Sequence, residues 1–160
     1  MNAREAWPSQ IIPREMGTMC ALDAVSSLVS ADRLDLKAIR QELGLSQAQF
    51  ARLVGFSVRA VQSCEQGWRK PGAALERAAL LLLMAQRNPE GLSDLRCWEV
   101  MTCPPERRQE CITYRTRQGH LCWFLNGTLC TNEKLQDWEN KRPICQACPV
   151  FQMLMTSSRS

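Results

Sequence analysis

The chain has 160 residues, of which 45% are apolar and 22% charged, and its formal net charge is +4. This composition excludes an intrinsically disordered chain, because the apolar side chains suffice for the core of one ordinary domain or two small ones. No apolar run reaches the ~18 residues of a membrane-spanning helix, and the N-terminus lacks the pattern of a secretory signal. We therefore expect a cytoplasmic protein with no membrane partner.

Residues 1–35 are predicted to be an N-terminal lead-in. Pro8, Pro13 and Gly17 interrupt its first half. Apolar residues at helical spacing predict one helix within 20–36, although two adjacent serines weaken that pattern.

A set of short helices is predicted over 36–91. Apolar residues recur at helical spacing in four segments, and Ser46 and Ser57 are typical N-cap residues. A tight turn at Gly55, expected to be a left-handed C-cap, joins the second segment to the third, which is the layout of a helix-turn-helix. The segments are 36–44, 46–54, 57–66 and 72–88. The spacing places the following residues of the second and fourth helices in the core: Phe50, Ala51, Val54, Leu75, Ala79, Leu82 and Leu83.

The positive charge is concentrated in the same region. Residues 36–90 contain eight Lys or Arg against four Asp or Glu. A polyanionic partner is compatible with this excess. Charge alone, however, favours an ordinary solvated surface.

The stretch GLSQAQFARLVGFSVRAVQSCEQGWRKP, residues 44–71, resembles the helix-turn-helix of the lambda-repressor/Cro type, also called the xenobiotic-response-element family. With its flanking helices the resemblance covers about a third of the chain. It implies that the 57–66 helix enters the major groove of double-stranded DNA, and that the protein binds as a homodimer. The matching residues are Ser46, Gln47, Phe50, Ala51, Gly55, Ser57, Val61, Glu65 and Gly67.

The resemblance also assigns contacts. Base contacts are expected from Val58, Arg59, Gln62 and Ser63. Arg59 is suited to donate to guanine and Gln62 to form hydrogen bonds with adenine, while Val58 can pack on a thymine methyl. Phosphate contacts are expected from Gln47, Ser57, Arg69 and Lys70. The alternative interpretation of the helices is a bundle that binds a protein instead of DNA.

The region from residue 97 is predicted to be a small, loop-rich domain, because prolines and glycines interrupt it and no helical period is visible. Its seven cysteines are candidate metal or redox residues: Cys97, Cys103, Cys111, Cys122, Cys130, Cys145 and Cys148. Only Cys145 and Cys148 have the short spacing of a metal knuckle.

Residues 97–151 resemble the two-CW cysteine-rich domain of bacterial regulators. The resemblance rests on CWE at 97–99, CW at 122–123, Gly127-Thr128, Cys130, Lys141 and the final CxxC. Residues 152–160 are expected to be a tail.

Three chemistries are compatible with these cysteines: a tetrathiolate zinc site, an iron–sulfur cluster and a reversible disulfide. Basic residues at 107–108 and 141–142 are candidates for lowering a thiol pKa. His120 is a candidate ligand but is better explained as a surface residue. The tryptophans are better explained as core residues than as a shield around a cofactor. Cys20 and Cys64, outside the region, are expected to be small buried apolar residues.

Taken together, the sequence predicts a mainly α-helical protein: an N-terminal helical bundle with a helix-turn-helix, then a small cysteine-rich domain. The predicted function is sequence-specific transcriptional regulation, with the cysteine-rich domain sensing metal or redox state. The alternative is a DNA-tethered adaptor that uses 97–151 to bind a protein partner. We expect no enzymatic activity, because the sequence carries no phosphate loop or nucleophile elbow and a single histidine.

Overall fold

A computed structural model describes residues 28–29, 33–89, 94–130 and 134–156. The predicted lead-in and its helix lie almost entirely outside these ranges. Within them the protein is mainly helical, and the extended segments are limited to two isolated bridges, Val29–Leu34 and Thr128–Leu135. The predicted mainly-α fold class is confirmed. None of the helices in the described ranges is long and apolar enough to cross a membrane.

The chain divides into two compact units. The described helices of the first unit lie within Met19–Pro89, and those of the second lie within Glu90–Leu154 apart from the last residue of the final helix.

Four helices of the first unit lie within residues 33–89 of the described structure, and three of them begin at a side-chain cap. Asp35, Ser46 and Ser57 each accept a hydrogen bond from a backbone N–H in the first turn of the helix that follows, and Gly55 ends the second helix with a left-handed φ of 75°. These side chains satisfy N–H groups that a helix start otherwise leaves unpaired. The predicted turn at Gly55 is therefore confirmed. The helices are α1 (Leu36–Glu42), α2 (Gln47–Val54), α3 (Val58–Glu65) and α4 (Ala73–Arg87).

The core of the first unit differs from the predicted one at two positions. Five of the predicted residues are buried, whereas Val54 and Leu82 remain half-exposed. The five are Phe50, Ala51, Leu75, Ala79 and Leu83. Val54 is the last residue of α2, beside the turn. The buried stripe of α4 contains Leu75, Glu76, Ala79, Leu80, Leu83, Met84 and Arg87, so Leu82 falls on its flank.

The charged ends of α1 and α4 are held together by one ion pair. The buried Arg87 donates to both carboxylate oxygens of Glu42, from Nε at 2.6 Å and from Nη2 at 2.7 Å. A bidentate pair of this kind fixes orientation as well as distance. It explains how a charged residue can belong to the buried stripe of α4.

The second unit is richer in helix than its sequence indicates. Its helices contain only four to nine residues, so an 11–18-residue window shows no helical period. The last helix continues to Met155, so the tail predicted from residue 152 begins inside a helix. The helices are α5 (Cys97–Val100), α6 (Pro105–Glu110), α7 (Ile112–Arg115), a 3₁₀ turn (Gly119–Leu121), α8 (Trp138–Gln146) and α9 (Pro149–Met155).

An aromatic cluster forms the core of this unit. The ring of Trp123, which is almost fully buried, meets Phe124, Trp138 and Phe151 edge-on, with centroids 5.5, 6.1 and 6.0 Å away. Edge-to-face contacts of this kind stabilise a core beyond the burial of the rings. Two of the unit's tryptophans are therefore core residues.

Candidate nucleic-acid interface and cysteine-lined cavity

Helix α3 lies on the first unit with one face buried and the other open. Val61 and Cys64 are buried in the core, whereas Val58, 40% exposed, and Arg59 face outward. Gln62 and Ser63 are half-buried. The N-terminal half of α3 is thus the exposed half, which is the arrangement by which a recognition helix reads base edges.

A polar network lies between α3 and the two helices before it. Glu65, at the end of α3, accepts from Arg40 of α1 at 2.6 and 3.0 Å. The same carboxylate accepts from Nε2 of Gln47 at 2.8 Å, and Gln62 donates to Oε1 of Gln47 at 3.2 Å. Arg40 also donates to the carbonyl of Leu45 at 2.9 Å. The network therefore connects three helices through one carboxylate.

The environment of Glu65 keeps this carboxylate ionised. Burial by itself raises the pKa of Glu65, but the hydrogen bonds from Arg40 and Gln47 and the charge of Arg40 outweigh it, so the pKa lies below 4.5. The hydrogen bond with Glu65 likewise raises the pKa of Arg40. At neutral pH both groups are charged, and only 3% of the Glu65 side chain and 12% of the Arg40 side chain are exposed.

The predicted DNA-contacting residues do not all have free side chains. Gln47 is held by Glu65 and Gln62, and Ser57 caps α3 by accepting from the N–H of Ala60 at 3.2 Å. Arg69 and Lys70 follow α3 and are exposed. The predicted base residues therefore lie on α3, and three of the predicted phosphate residues lie at its start or just after it. The fourth, Gln47, lies at the start of α2.

The most exposed aromatic residue near α3 was not singled out from the sequence. Trp68 is 79% exposed and directly precedes Arg69. Its position after the helix-ending Gly67 indicates exposure, because the chain has already left the helical face that packs on the core. A large apolar ring beside two cations is an unusual surface feature, since tryptophan is normally well buried.

Six of the seven cysteines of the second unit line a single cavity of about 260 Å³. Apolar and aromatic side chains, including Trp98, Met101, Tyr114 and Val150, form much of its remaining wall, and Arg107 and Arg108 also face it. The spacing of these cysteines between residues 97 and 148 does not by itself predict that their side chains line one cavity. They are Cys97, Cys103, Cys111, Cys122, Cys130 and Cys148.

Two of these thiols interact directly. A hydrogen bond with Cys122 is the main cause that lowers the pKa of Cys97 from 9.0 to about 7, and it raises the pKa of Cys122. The hydroxyl of Thr113 lies 3.7 Å from the sulfur of Cys97 and 3.0 Å from that of Cys111. Cys97 is therefore the more acidic thiol of this pair.

Gly119 makes the approach of Cys122 to Cys97 possible. A Cβ at Gly119 would lie 2.6 Å from the carbonyl oxygen of Leu95 and 2.8 Å from the nitrogen of Cys97. Only glycine allows the 3₁₀ turn to lie this close to the start of α5. Cys122 follows that turn by one residue.

Lys141 of α8 is fully buried, with 0% of its surface exposed. Its Nζ donates to the backbone carbonyls of Cys122 and Leu125. Burial lowers the pKa of Lys141, while the sulfurs of Cys145, Cys130, Cys122 and Cys111 lie close enough to raise it. In the described ranges no carboxylate forms an ion pair with Lys141.

The remaining candidates lie away from the cavity. Cys145 is buried but does not line it, and burial raises the pKa of this thiol well above its usual value. His120 does not line it either; in the described structure its buried Nδ1 has no hydrogen-bond partner, and burial lowers its pKa. His120 as a whole is half-exposed, so only its Nδ1 side is withdrawn from the surface. Cys64 is buried, as predicted, and Cys20 lies outside the described residues.

The cavity thiols are not gathered at a single point. In the described part of the chain, no three His, Cys, Asp or Glu side chains converge on a single ion position. The six cysteines instead form part of the wall of a cavity whose volume is many times the 10–15 Å³ or so that one water molecule needs.

Comparison with known families identifies the first unit. Residues 36–82 match the family described as Helix-turn-helix, of the lambda-repressor/Cro type. The match begins at the first residue of α1 and ends within α4, and it supports a DNA-binding regulator. Searches of curated proteins and of solved structures found no match. The likeness of 97–151 to the two-CW domain has no support from these comparisons and stays a prediction.

Proposed function

We propose that the protein is a sequence-specific DNA-binding transcriptional regulator. The observation that carries this proposal is the exposure of the N-terminal half of α3 on a unit whose sequence matches the helix-turn-helix family. The major groove of DNA admits one α-helix, and residues at the start of that helix reach the base edges.

The exposed residues have chemistry suited to these contacts. Arg59 can donate two hydrogen bonds to guanine, and Val58 offers an apolar contact to a thymine methyl. Gln62 and Ser63, half-buried beside them, complete the set that faces the groove. Ser57, at the N-terminus of α3, and the cations Arg69 and Lys70 contact phosphates, and Gln47 supports α3 from the start of α2. The protein binds as a homodimer on a two-fold symmetric site, as repressors of this type do.

The experiment is selection of a binding site from random duplex DNA by the full chain, followed by affinity measurements on variants at several salt concentrations. Arg59→Ala should weaken binding to the selected site by about 1–3 kcal/mol and relax specificity there. Lys70→Ala should weaken binding to all DNA sequences equally. It should also reduce the slope of log affinity against log salt concentration by about one. Arg115→Ala, which removes an exposed cation from the second unit, is the matched control.

Unchanged affinity in both the Arg59 and Lys70 variants would overturn the docking of α3. Failure to select any site would overturn the regulator proposal itself.

We propose further that the second unit senses metal or redox state for the regulator. The observation in its favour is that six thiols line one cavity. Affinity for the selected site should then differ between reduced, oxidised and metal-stripped protein. Equal affinities would favour the alternative, a DNA-tethered adaptor in which 97–151 binds a protein partner. No enzymatic activity is part of either proposal.

A further inference from the structure

The occupant of the cysteine-lined cavity can be inferred from its size. Four thiolates bound to one zinc at about 2.3 Å lie about 3.8 Å from one another. In the described ranges no three ligating side chains converge in this way, and the six cysteines instead line a cavity of about 260 Å³. A centre of several metal ions bridged by sulfide spans such a cavity, whereas a single ion contacts only part of its wall.

The charge around the cavity points to an anionic occupant. The buried ammonium group of Lys141 has two carbonyl acceptors but, in the described residues, no carboxylate partner. A buried cation is costly unless a negative charge lies near it. Arg107 and Arg108 line the same cavity. Lys141 does not line the cavity, but it lies close to three of the lining cysteines, Cys111, Cys122 and Cys130. These cations suit a centre held by four thiolates, whose total charge is negative.

Backbone N–H groups point at two of the sulfurs. Val150 and Phe151, at the start of α9, donate to the sulfur of Cys148, and Trp98 donates to that of Cys97. Such hydrogen bonds stabilise thiolates and tune the potential of sulfur-ligated iron.

Apolar and aromatic side chains form part of the cavity wall and shield that part from water. Trp98 and Tyr114, whose rings meet edge-on at 5.1 Å, line it together with Met101 and Val150. An iron–sulfur centre is sensitive to solvent exposure. A structural zinc site needs no such enclosure.

We propose that this cavity binds a polynuclear iron–sulfur cluster, and not a single zinc ion, with four of the six lining cysteines as thiolate ligands. The four thiols release their protons to solvent as they bind. The proposal concerns the second unit alone and does not depend on DNA binding. If it is correct, it also supplies the chemical basis of the sensing role proposed above.

The test uses the full chain, purified without oxygen and then treated with iron salts and sulfide under a thiol reductant. A parallel sample receives zinc alone. We expect iron and acid-labile sulfide in equal amounts, with the visible absorption of sulfide-to-iron charge transfer and an electron paramagnetic resonance signal after reduction. Zinc should not displace the cluster stoichiometrically. Tight binding of one zinc with no retention of iron and sulfide would overturn the proposal, as would a bare chain or a disulfide among the six cysteines.

Single Cys→Ala variants locate the ligands. Four of the six cavity variants should lose iron, while Cys64→Ala, in the first unit, and Cys145→Ala, outside the cavity wall, should retain it. Retention of iron by all six cavity variants would overturn the assignment of the site.

A measurement on the native chain tests the same ligands without relying on variants, some of which could fail to fold. Alkylation followed by peptide mass spectrometry should show four cavity thiols protected in the loaded chain and modified after the iron is removed by a chelator. Equal labelling before and after removal would also overturn the proposal.

Discussion

Arg40 of α1 and Glu65 of α3 form a two-pronged ion pair at 2.6 and 3.0 Å, 25 residues apart in sequence. Both side chains are almost completely withdrawn from solvent. The pair fixes the end of α3 against α1 and leaves the start of α3 exposed.

The first prediction concerns this pair. Glu65→Ala leaves the guanidinium of Arg40 buried without its counter-charge, so we expect the first unit to lose about 3–5 kcal/mol of unfolding free energy. Hydrogen exchange of the α3 amides in the full chain measures this locally. Glu110→Ala, at an exposed carboxylate in the second unit, should change stability by no more than about 0.5 kcal/mol. A comparable effect of the two substitutions would contradict the role of the pair.

The second prediction is a pH dependence. Because the folded-state pKa of Glu65 is lowered, its contribution is fully present above the ordinary value of 4.5 and is lost as pH falls through the folded-state value. The stability difference between the native chain and Glu65→Gln should therefore be constant near neutral pH and shrink below about pH 4.5. Hydrogen exchange or denaturant unfolding across the acid range measures it. A difference that does not depend on pH would show that Glu65 acts through shape and not through charge.

The third prediction concerns the turn between α2 and α3. Gly55 has φ 75° and ψ 29°, and no atom would obstruct a Cβ there. Gly55→Ala should therefore cost about 1–2 kcal/mol through backbone conformation alone. Gly55→Asn should cost less, because asparagine tolerates the left-handed region. Unfolding of the first unit measures both, and equal costs would mean that the turn changes conformation.

The fourth prediction concerns Gly119. Its substitution by Ala would place Cβ against backbone atoms that cannot move independently, so we expect a loss of about 1–3 kcal/mol in the second unit. The same change should separate Cys122 from Cys97 and reduce metal loading. Hydrogen exchange of α5 measures the stability effect. Gly72→Ala is the control, because nothing lies within 4 Å of its Cβ position and its φ is −74°. A normal α5 in the Gly119 variant would show that the close approach is dispensable.

The fold is most predictable from the sequence where its determinants are local. Ser46, Gly55 and Ser57 define helix ends through their own side-chain or backbone chemistry, and the structure has α2 and α3 where these residues place them. The short helices of the second unit were missed because one or two turns present too few apolar repeats.

The candidate site could be predicted only in part, because its geometry depends on distant contacts. The pairing of Arg40 with Glu65 joins residues 25 apart, and the cavity gathers cysteines from 97 to 148. No spacing rule indicates that Cys145 lies outside that cavity whereas Cys148 lines it. The exposure of Trp68 was recognisable from its place after Gly67, but a tryptophan is ordinarily assigned to a core.

The hydrogen bonds below α3 also decide which atoms of Gln62 remain for a ligand. The carboxylate of Glu65 can only accept, so Gln47 must turn its NH₂ group toward it and its oxygen toward Gln62. Gln62 in turn directs one N–H at that oxygen, leaving its own oxygen and its second N–H for another partner. The negative charge of Glu65 thus fixes the orientation of the Gln47 amide and, through it, that of the Gln62 amide. If α3 contacts bases through Gln62, the donor and acceptor positions of that side chain are set by Glu65, which itself contacts no base.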